Sequence, residues 1–238
     1  SMLDRAKVVD ENFIKFLRSG ELPAARVHLK PEQVGLSRET FLELFNSQLI
    51  SRHLDLMARL LKEKNLGFYT IGSSGHEGNA AIAKVFRHTD MAFLHYRSGA
   101  FMVQRARHLA TIDPIYDALL SLMASSEDPI ASGRHKVFGS LPLFVPPQTS
   151  TIASHLPKAL GAAVSIQRAK ELGIESKLPQ DCVILCSFGD ASLNHSTSQG
   201  ALNAAQWIAY KNYPLPLVFI CEDNGIGISV ATPNSWIE

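Results

Sequence analysis

The chain has 238 residues, 46% of them hydrophobic, which suffices for the core of one large domain or two small ones. Its 23 basic residues nearly balance 22 acidic ones, so charge gives no reason to expect nucleic acid or an anionic membrane as partner. No apolar run reaches membrane-spanning length, the start Ser1-Met2-Leu3-Asp4-Arg5 lacks a signal peptide's apolar stretch, and Cys182, Cys186 and Cys221 lie in apolar runs without zinc-type spacing. Buried free thiols and a cytoplasmic setting are predicted, or the mitochondrial matrix if a transit peptide has been removed.

In chain order, a short helix is predicted over 3–17 and a polar, proline-punctuated connection over 21–36. Phe41, Leu44, Phe45, Leu49, His53, Leu54, Met57, Leu60 and Leu61 recur at helical spacing, predicting one long amphipathic helix over 37–64 with Ser37 as N-cap. These elements form an N-terminal helical segment over 1–66, ahead of an α/β domain over 67–238. There, helices are predicted over 79–86, 100–109 and 114–124, a strand over 91–95, and a long loop over 125–150 containing Pro129, Pro142, Pro146 and Pro147. A helix over 154–172 leads to the apolar strand 182–188. A helix over 196–210 and a second apolar strand, 217–221, complete a parallel βαβ unit. The fold class is α/β, a parallel sheet with helices on both faces, preceded by N-terminal helices.

Ligands of open parallel sheets bind beyond the carboxyl ends of the strands. Two consecutive strands end there in Gly189-Asp190-Ala191-Ser192 and Glu222-Asp223-Asn224-Gly225. Asp190 and Asn224 offer hard oxygens suited to Mg²⁺, and Gly189 allows close backbone approach. Amides opening the helix after Ser192 suit phosphate oxygens. Taken singly, Asp190 fits a helix cap and Asn224-Gly225 a turn equally well. Gly-x-Gly-x-x-Gly is missing after the first strand, which argues against a nicotinamide dehydrogenase.

The segment from Gly189-Asp190-Ala191 to Asn224 resembles the thiamine diphosphate motif, in which Gly-Asp-Gly is followed after roughly thirty residues by Asn. Phe68-Tyr69, Gly75-His76-Glu77-Gly78 and His95-Tyr96-Arg97 are similar, in order, to signatures of the α subunits of 2-oxoacid dehydrogenases. So is the stretch from Gln148 through Ser150-Thr151-Ile152 to Pro157 and Gly161-Ala162-Ala163. The resemblance implies a thiamine diphosphate-binding fold with Asp190, Asn224 and the Ile226 carbonyl holding Mg²⁺. Tyr96 and Arg97 would take the diphosphate, Gly189, Ala191 and Ser192 would line its cradle, and Ser150, Thr151 and Ile152 would flank the aminopyrimidine. In branched-chain members the same segment binds K⁺, which implies Thr149, Thr151, Ser154 and His155. Ala191 departs from the family's third glycine, and the gap between Asp190 and Asn224 is several residues longer than usual.

The resemblance further implies oxidative decarboxylation of a 2-oxoacid with acyl transfer to a lipoyl group. The partners would be a β subunit, or fused β half, and a lipoyl-bearing acyltransferase within an oligomer. The glutamate that activates the cofactor belongs to the β part, so no catalytic residue is assigned here; Glu77 belongs to a different motif. Ser150-Thr151-Ile152 leans toward branched-chain substrates, whereas Cys221-Glu222-Asp223-Asn224 is closer to pyruvate enzymes. Pyruvate or acetoin dehydrogenation and a catalytically inactive scaffold are the alternatives. The chain stops soon after the strand carrying Asn224, and an N-terminal fragment is the expectation.

Overall fold

The computed structural model describes residues 5–21, 29–73, 75–228 and 230–237. The predicted first helix begins outside these residues, at Leu3 and Asp4, and so does most of the connection that follows it. The chain divides into two compact units, Ser1–Phe41 and Leu42–Glu238.

The first unit holds α1 (Arg5–Ser19), a 3-10 turn (Pro31–Val34) and the entry to α2 (Arg38–Glu63). Ser37 is the N-cap the sequence predicts: its Oγ accepts from the Thr40 amide at 3.1 Å.

In the second unit α2 buries Leu44, Ser47, Ser51 and Ala58. That face is mostly small, with two serines, not the wide apolar stripe the periodicity suggests; Phe45, Leu49, Met57 and Leu60 are exposed. Small side chains let the α4 backbone approach: a Cβ on Gly99 would lie 2.5 Å from Ser51 Oγ. Ser47 Oγ donates across to Gln104 Oε1, also on α4 (Gly99–Ala106), at 2.7 Å.

There follow α3 (Ala80–Val85), β1 (Ala92–Phe93), α4 (Gly99–Ala106) and α5 (Pro114–Leu122), the last capped by Asp113. The expected loop over 125–150 is overturned in part: β2 (Phe138–Ser140) and β3 (Val145–Gln148) pair antiparallel within it. Pro146 and Pro147 lie inside β3, where a strand paired on one side only tolerates a missing amide. Then come α6 (Leu156–Leu172), β4 (Ile184–Gly189), α7 (Ser196–Tyr210) and β5 (Leu217–Glu222), and finally the ribbon β6 (Ile226–Gly227) with β7 (Val230–Ala231).

The main sheet has the order β1-β4-β5, all parallel, with β4 central. Alternation along β4 distributes the core, since successive side chains of a strand point to opposite faces. Ile184, Cys186 and Phe188 pack with Ala159, Ala163 and Ile166 of α6 and Ala201 of α7. Leu185 faces the other way, to Ala83 of α3 and Phe101 and Ala106 of α4. Helices thus cover both faces, as predicted. All three cysteines are free, and burial raises their thiol pKa values, that of Cys221 to about 11. No helix among the described residues is long and apolar enough to cross a membrane.

Candidate functional site

Because β1, β4 and β5 are parallel, their carboxyl ends share one edge. His95 to Ser98 follow β1, the 3-10 turn Asp190–Ser192 follows β4, and Asp223 to Gly225 follow β5. Ser187 ties the first two together, its Oγ accepting from the His95 amide at 3.0 Å.

Asp190 is 2% exposed. Its Oδ2 accepts from the Thr232 hydroxyl at 2.9 Å, and its carbonyl accepts from Trp236 Nε1 at 2.9 Å. Thr232 in turn donates its amide to the Gly225 carbonyl at 2.9 Å, so one residue bridges Asp190 to the turn that follows Asn224. Among the described residues no group hydrogen-bonds to Asp190 Oδ1.

The ribbon orients the next donor. Hydrogen-bonded and non-hydrogen-bonded pairs alternate in antiparallel ladders. Thr232 bonds Gly225, so the next pair, Ile226 opposite Ala231, is non-hydrogen-bonded, and the Ile226 amide and carbonyl both turn away from β7. The amide donates to Asn224 Oδ1 at 3.0 Å, which leaves the carbonyl outside the ladder. A carboxylate oxygen, a carboxamide oxygen and a backbone carbonyl are the donor set an Mg²⁺ ion takes, completed by phosphate and water. These residues fit the ion.

α7 starts at Ser196, as expected, and one of the amides that open it is already taken: His195 Nδ1 accepts from the Thr197 amide at 3.2 Å. The turn Asp190–Ser192 occupies the strand end, and Ser192 Oγ donates back to the Gly189 carbonyl at 2.8 Å. Gly189 leaves little room for a side chain: a Cβ there would stand 3.2 Å from His95 Nε2, a tight contact. Ala191 points its methyl toward the ribbon, where a Cβ on Gly227 would come within 2.8 Å of it.

Arg97 is half-buried; one guanidinium nitrogen donates to the Gly72 carbonyl at 2.7 Å, and the group lies 5.2 Å from the centre of the Tyr96 ring. A guanidinium carries five donors, so this anchoring leaves others for a phosphate. Gly72 belongs to a strap over 67–73 that α2 holds down. Asp55 Oδ2 accepts from both the Ser73 amide, at 2.9 Å, and Ser73 Oγ, at 3.1 Å. Burial, the largest influence, raises the Asp55 pKa against those hydrogen bonds.

Two histidines complete the edge. The His76 and His95 rings stack with centroids 4.8 Å apart, and His76 Nδ1 lies 2.7 Å from Glu222 Oε2. Burial first, then the nearby His76, Arg97 and His155, pulls the His95 pKa down to about 3, so its ring is neutral at pH 7.

Residues 46–236 match the family described as dehydrogenase E1 component. The chain belongs to that family. It is 27% identical over 214 residues to the mitochondrial 2-oxoisovalerate dehydrogenase subunit alpha of Homo sapiens, covering 86% of this chain and 42% of that protein. The Bos taurus subunit is 25% identical over 252 residues, covering 98% and 48%. The alpha subunit of Bacillus subtilis is 24% identical over 204 residues, covering 84% and 56%. The chain thus spans about half the length of the curated relatives it matches.

Within this E1 component the predicted residues fall into two groups. Asp190, Asn224 and Ile226 are linked through Thr232 and the ribbon, with Gly189, Ala191 and Ser192 in the same strand-end turn. Tyr96 and Arg97 follow β1 at the same edge. Ser150, Thr151 and Ile152 stand apart: among the described residues, no hydrogen bond joins them to Asp190 or Asn224. Their segment meets the sheet through His155, whose Nε2 donates to the Ser187 carbonyl at 2.7 Å. That bond engages the buried His155 ring with β4, while the Thr149 hydroxyl donates to that of Thr151 at 3.1 Å.

Thr232, Trp236, His76, His95 and Glu222 were not assigned roles from sequence. His76 and His95 lie within recognised signatures, which is the signal that could have found them. Thr232 and Trp236 carry none.

Proposed function

We propose that this E1 component chain holds thiamine diphosphate through Mg²⁺ and supplies the diphosphate-binding half of a site for oxidative decarboxylation of a 2-oxoacid. The observation that carries the reading is the pairing at Asp190. One carboxylate oxygen is fixed by Thr232 and the other is unclaimed, beside a ribbon whose Ile226 carbonyl is turned off the ladder. Asp190, Asn224 and the Ile226 carbonyl hold the ion. Arg97, fixed by Gly72 and Tyr96, presents its remaining donors to the diphosphate, and Gly189, Ala191 and Ser192 form the backbone against it. Ser150, Thr151 and Ile152 face the ring portion.

When bound, thiamine diphosphate supplies the electron sink for decarboxylation. This chain holds and orients the anionic end of the cofactor. The proton-transferring glutamate comes from the β part, and a lipoyl-bearing acyltransferase receives the acyl group. Branched-chain 2-oxoacids are the favoured substrates, in line with what the relatives' names state.

Titrating thiamine diphosphate with and without Mg²⁺ into the chain assembled with its β part tests this. Binding should require Mg²⁺, and Asp190→Ala, which removes a ligand itself, should weaken it by at least the about tenfold that losing a ligand's supporting partner typically costs. Binding indifferent to Mg²⁺ and to Asp190→Ala would refute the proposal. Assays against 2-oxoisovalerate, pyruvate and 2-oxoglutarate should give the highest kcat/KM with the first.

A further inference from the structure

A chain of hydrogen bonds behind Asn224 has its direction fixed at one end. The Ile226 amide only donates, so the Asn224 atom 3.0 Å from it is the oxygen Oδ1. The nitrogen Nδ2 therefore points the other way, to His76 Nε2 at 3.2 Å, and donates there. His76 Nε2 is thus an acceptor, and a proton on it would face the NH₂ of Asn224. The ring proton sits on Nδ1, donating to Glu222 Oε2 at 2.7 Å. Asn79 supports the same carboxylate. Its Oδ1 is taken by the Phe101 amide at 2.9 Å, so its Nδ2 faces Glu222 Oε2, at 3.5 Å.

His95 is fixed in the opposite tautomer. The Arg97 amide donates to its Nδ1 at 3.2 Å, which leaves the proton on Nε2. This rules out one use of the cluster. Ligand atoms of His76, His95 and Glu222 lie within 4.8 Å of one another, yet a cation among them would need a lone pair where His95 carries its proton. The cluster serves the neighbouring carboxamide instead.

We propose that Glu222 and His76 are positioning residues that set the carboxamide of Asn224 with its oxygen, not its NH₂, toward the cation. The inference rests on the reading above that Asn224 is an Mg²⁺ ligand. A carboxamide free to flip would present its NH₂ to the ion for part of the time and bind it less well. Such supporting partners of metal ligands are typically worth 10–100-fold in affinity. Glu222 and His76 hold the orientation from 146 residues apart in sequence, and the strand register of β5 brings the carboxylate to the edge.

Two measurements test the relay. In the free chain, ¹⁵N NMR of labelled histidines should show His76 protonated at Nδ1 and His95 at Nε2, and Glu222→Leu should perturb the His76 signature. In the chain assembled with its β part, Mn²⁺ standing for Mg²⁺ is titrated with thiamine diphosphate present and followed by electron paramagnetic resonance. His76→Leu should weaken the ion by about tenfold. His76→Gln, which can still accept from Asn224 and donate to Glu222, should restore most of the affinity. Protonation of His76 at Nε2 overturns the relay. So does wild-type binding that His76→Leu leaves unchanged, or a loss in His76→Gln as large as in His76→Leu. Absence of metal-dependent binding in the wild type instead overturns the parent reading, and the relay with it.

Discussion

At the residue scale, Ala191 stands where the resembled motif has its third glycine, so its methyl group needs somewhere to go. The fold supplies the space at Gly227, whose missing side chain would otherwise come within 2.8 Å of Ala191 Cβ. The two positions are therefore coupled. Gly227→Ala should destabilise the protein by about 1–3 kcal/mol through overpacking, and Ala191→Gly in the same chain should recover most of that loss. A double-mutant cycle on thermal unfolding measures the coupling. Additive effects would mean that the methyl groups do not meet.

At the scale of elements, the strap over 67–73 depends on α2 for its position. Gly72 has no side chain because the Asp55 carboxylate occupies the space: a Cβ would lie 2.5 Å from Asp55 Cγ. Gly72→Ala should therefore displace Asp55 from Ser73 and take the Gly72 carbonyl away from Arg97. Thermal unfolding should report a loss of about 1–3 kcal/mol, and diphosphate affinity should fall with it. Unchanged affinity would detach the strap from the site.

How much of this was legible in the sequence depends on the range of the contacts. α7 lies where periodicity puts it, and β4 and β5 follow their apolar runs to within two residues, because local composition dictates those elements. The β2–β3 hairpin was hidden by Pro146 and Pro147, which read as loop until the strand is seen to pair on one side only. The buried face of α2 was misread because its partner backbone wants small residues, not a wide apolar stripe. At the site, Asp190 and Asn224 announce themselves by motif, whereas Thr232 and the Glu222–His76 pair act through contacts made only once the sheet has formed.

At the scale of the whole molecule, buried neutral histidines make stability depend on pH. His95 is neutral in the folded chain down to about pH 3, chiefly through burial and then through the nearby His76, Arg97 and His155. Burial also lowers the pKa values of His155 and His108. A histidine in the unfolded chain takes up its proton near pH 6.5. The unfolded state therefore binds more protons as pH falls below that value, and stability drops by up to ~1.4 kcal/mol per pH unit for the buried His95, with His155 adding in the same direction and the exposed His108 contributing little. Asp90, Asp128 and Glu43, with lowered pKa values, add losses of the same sign, but nearer pH 4 and below. Asp55 and Asp117, raised by burial, act in the opposite sense. The window from pH 6.5 to 5.0 lies above most carboxylate titration and isolates the histidines. Over it, the denaturant midpoint of the wild type should fall steadily, and His95→Gln should flatten the slope by about one proton's worth. An unchanged slope in that variant would mean that the ring titrates in the folded chain and is open to water.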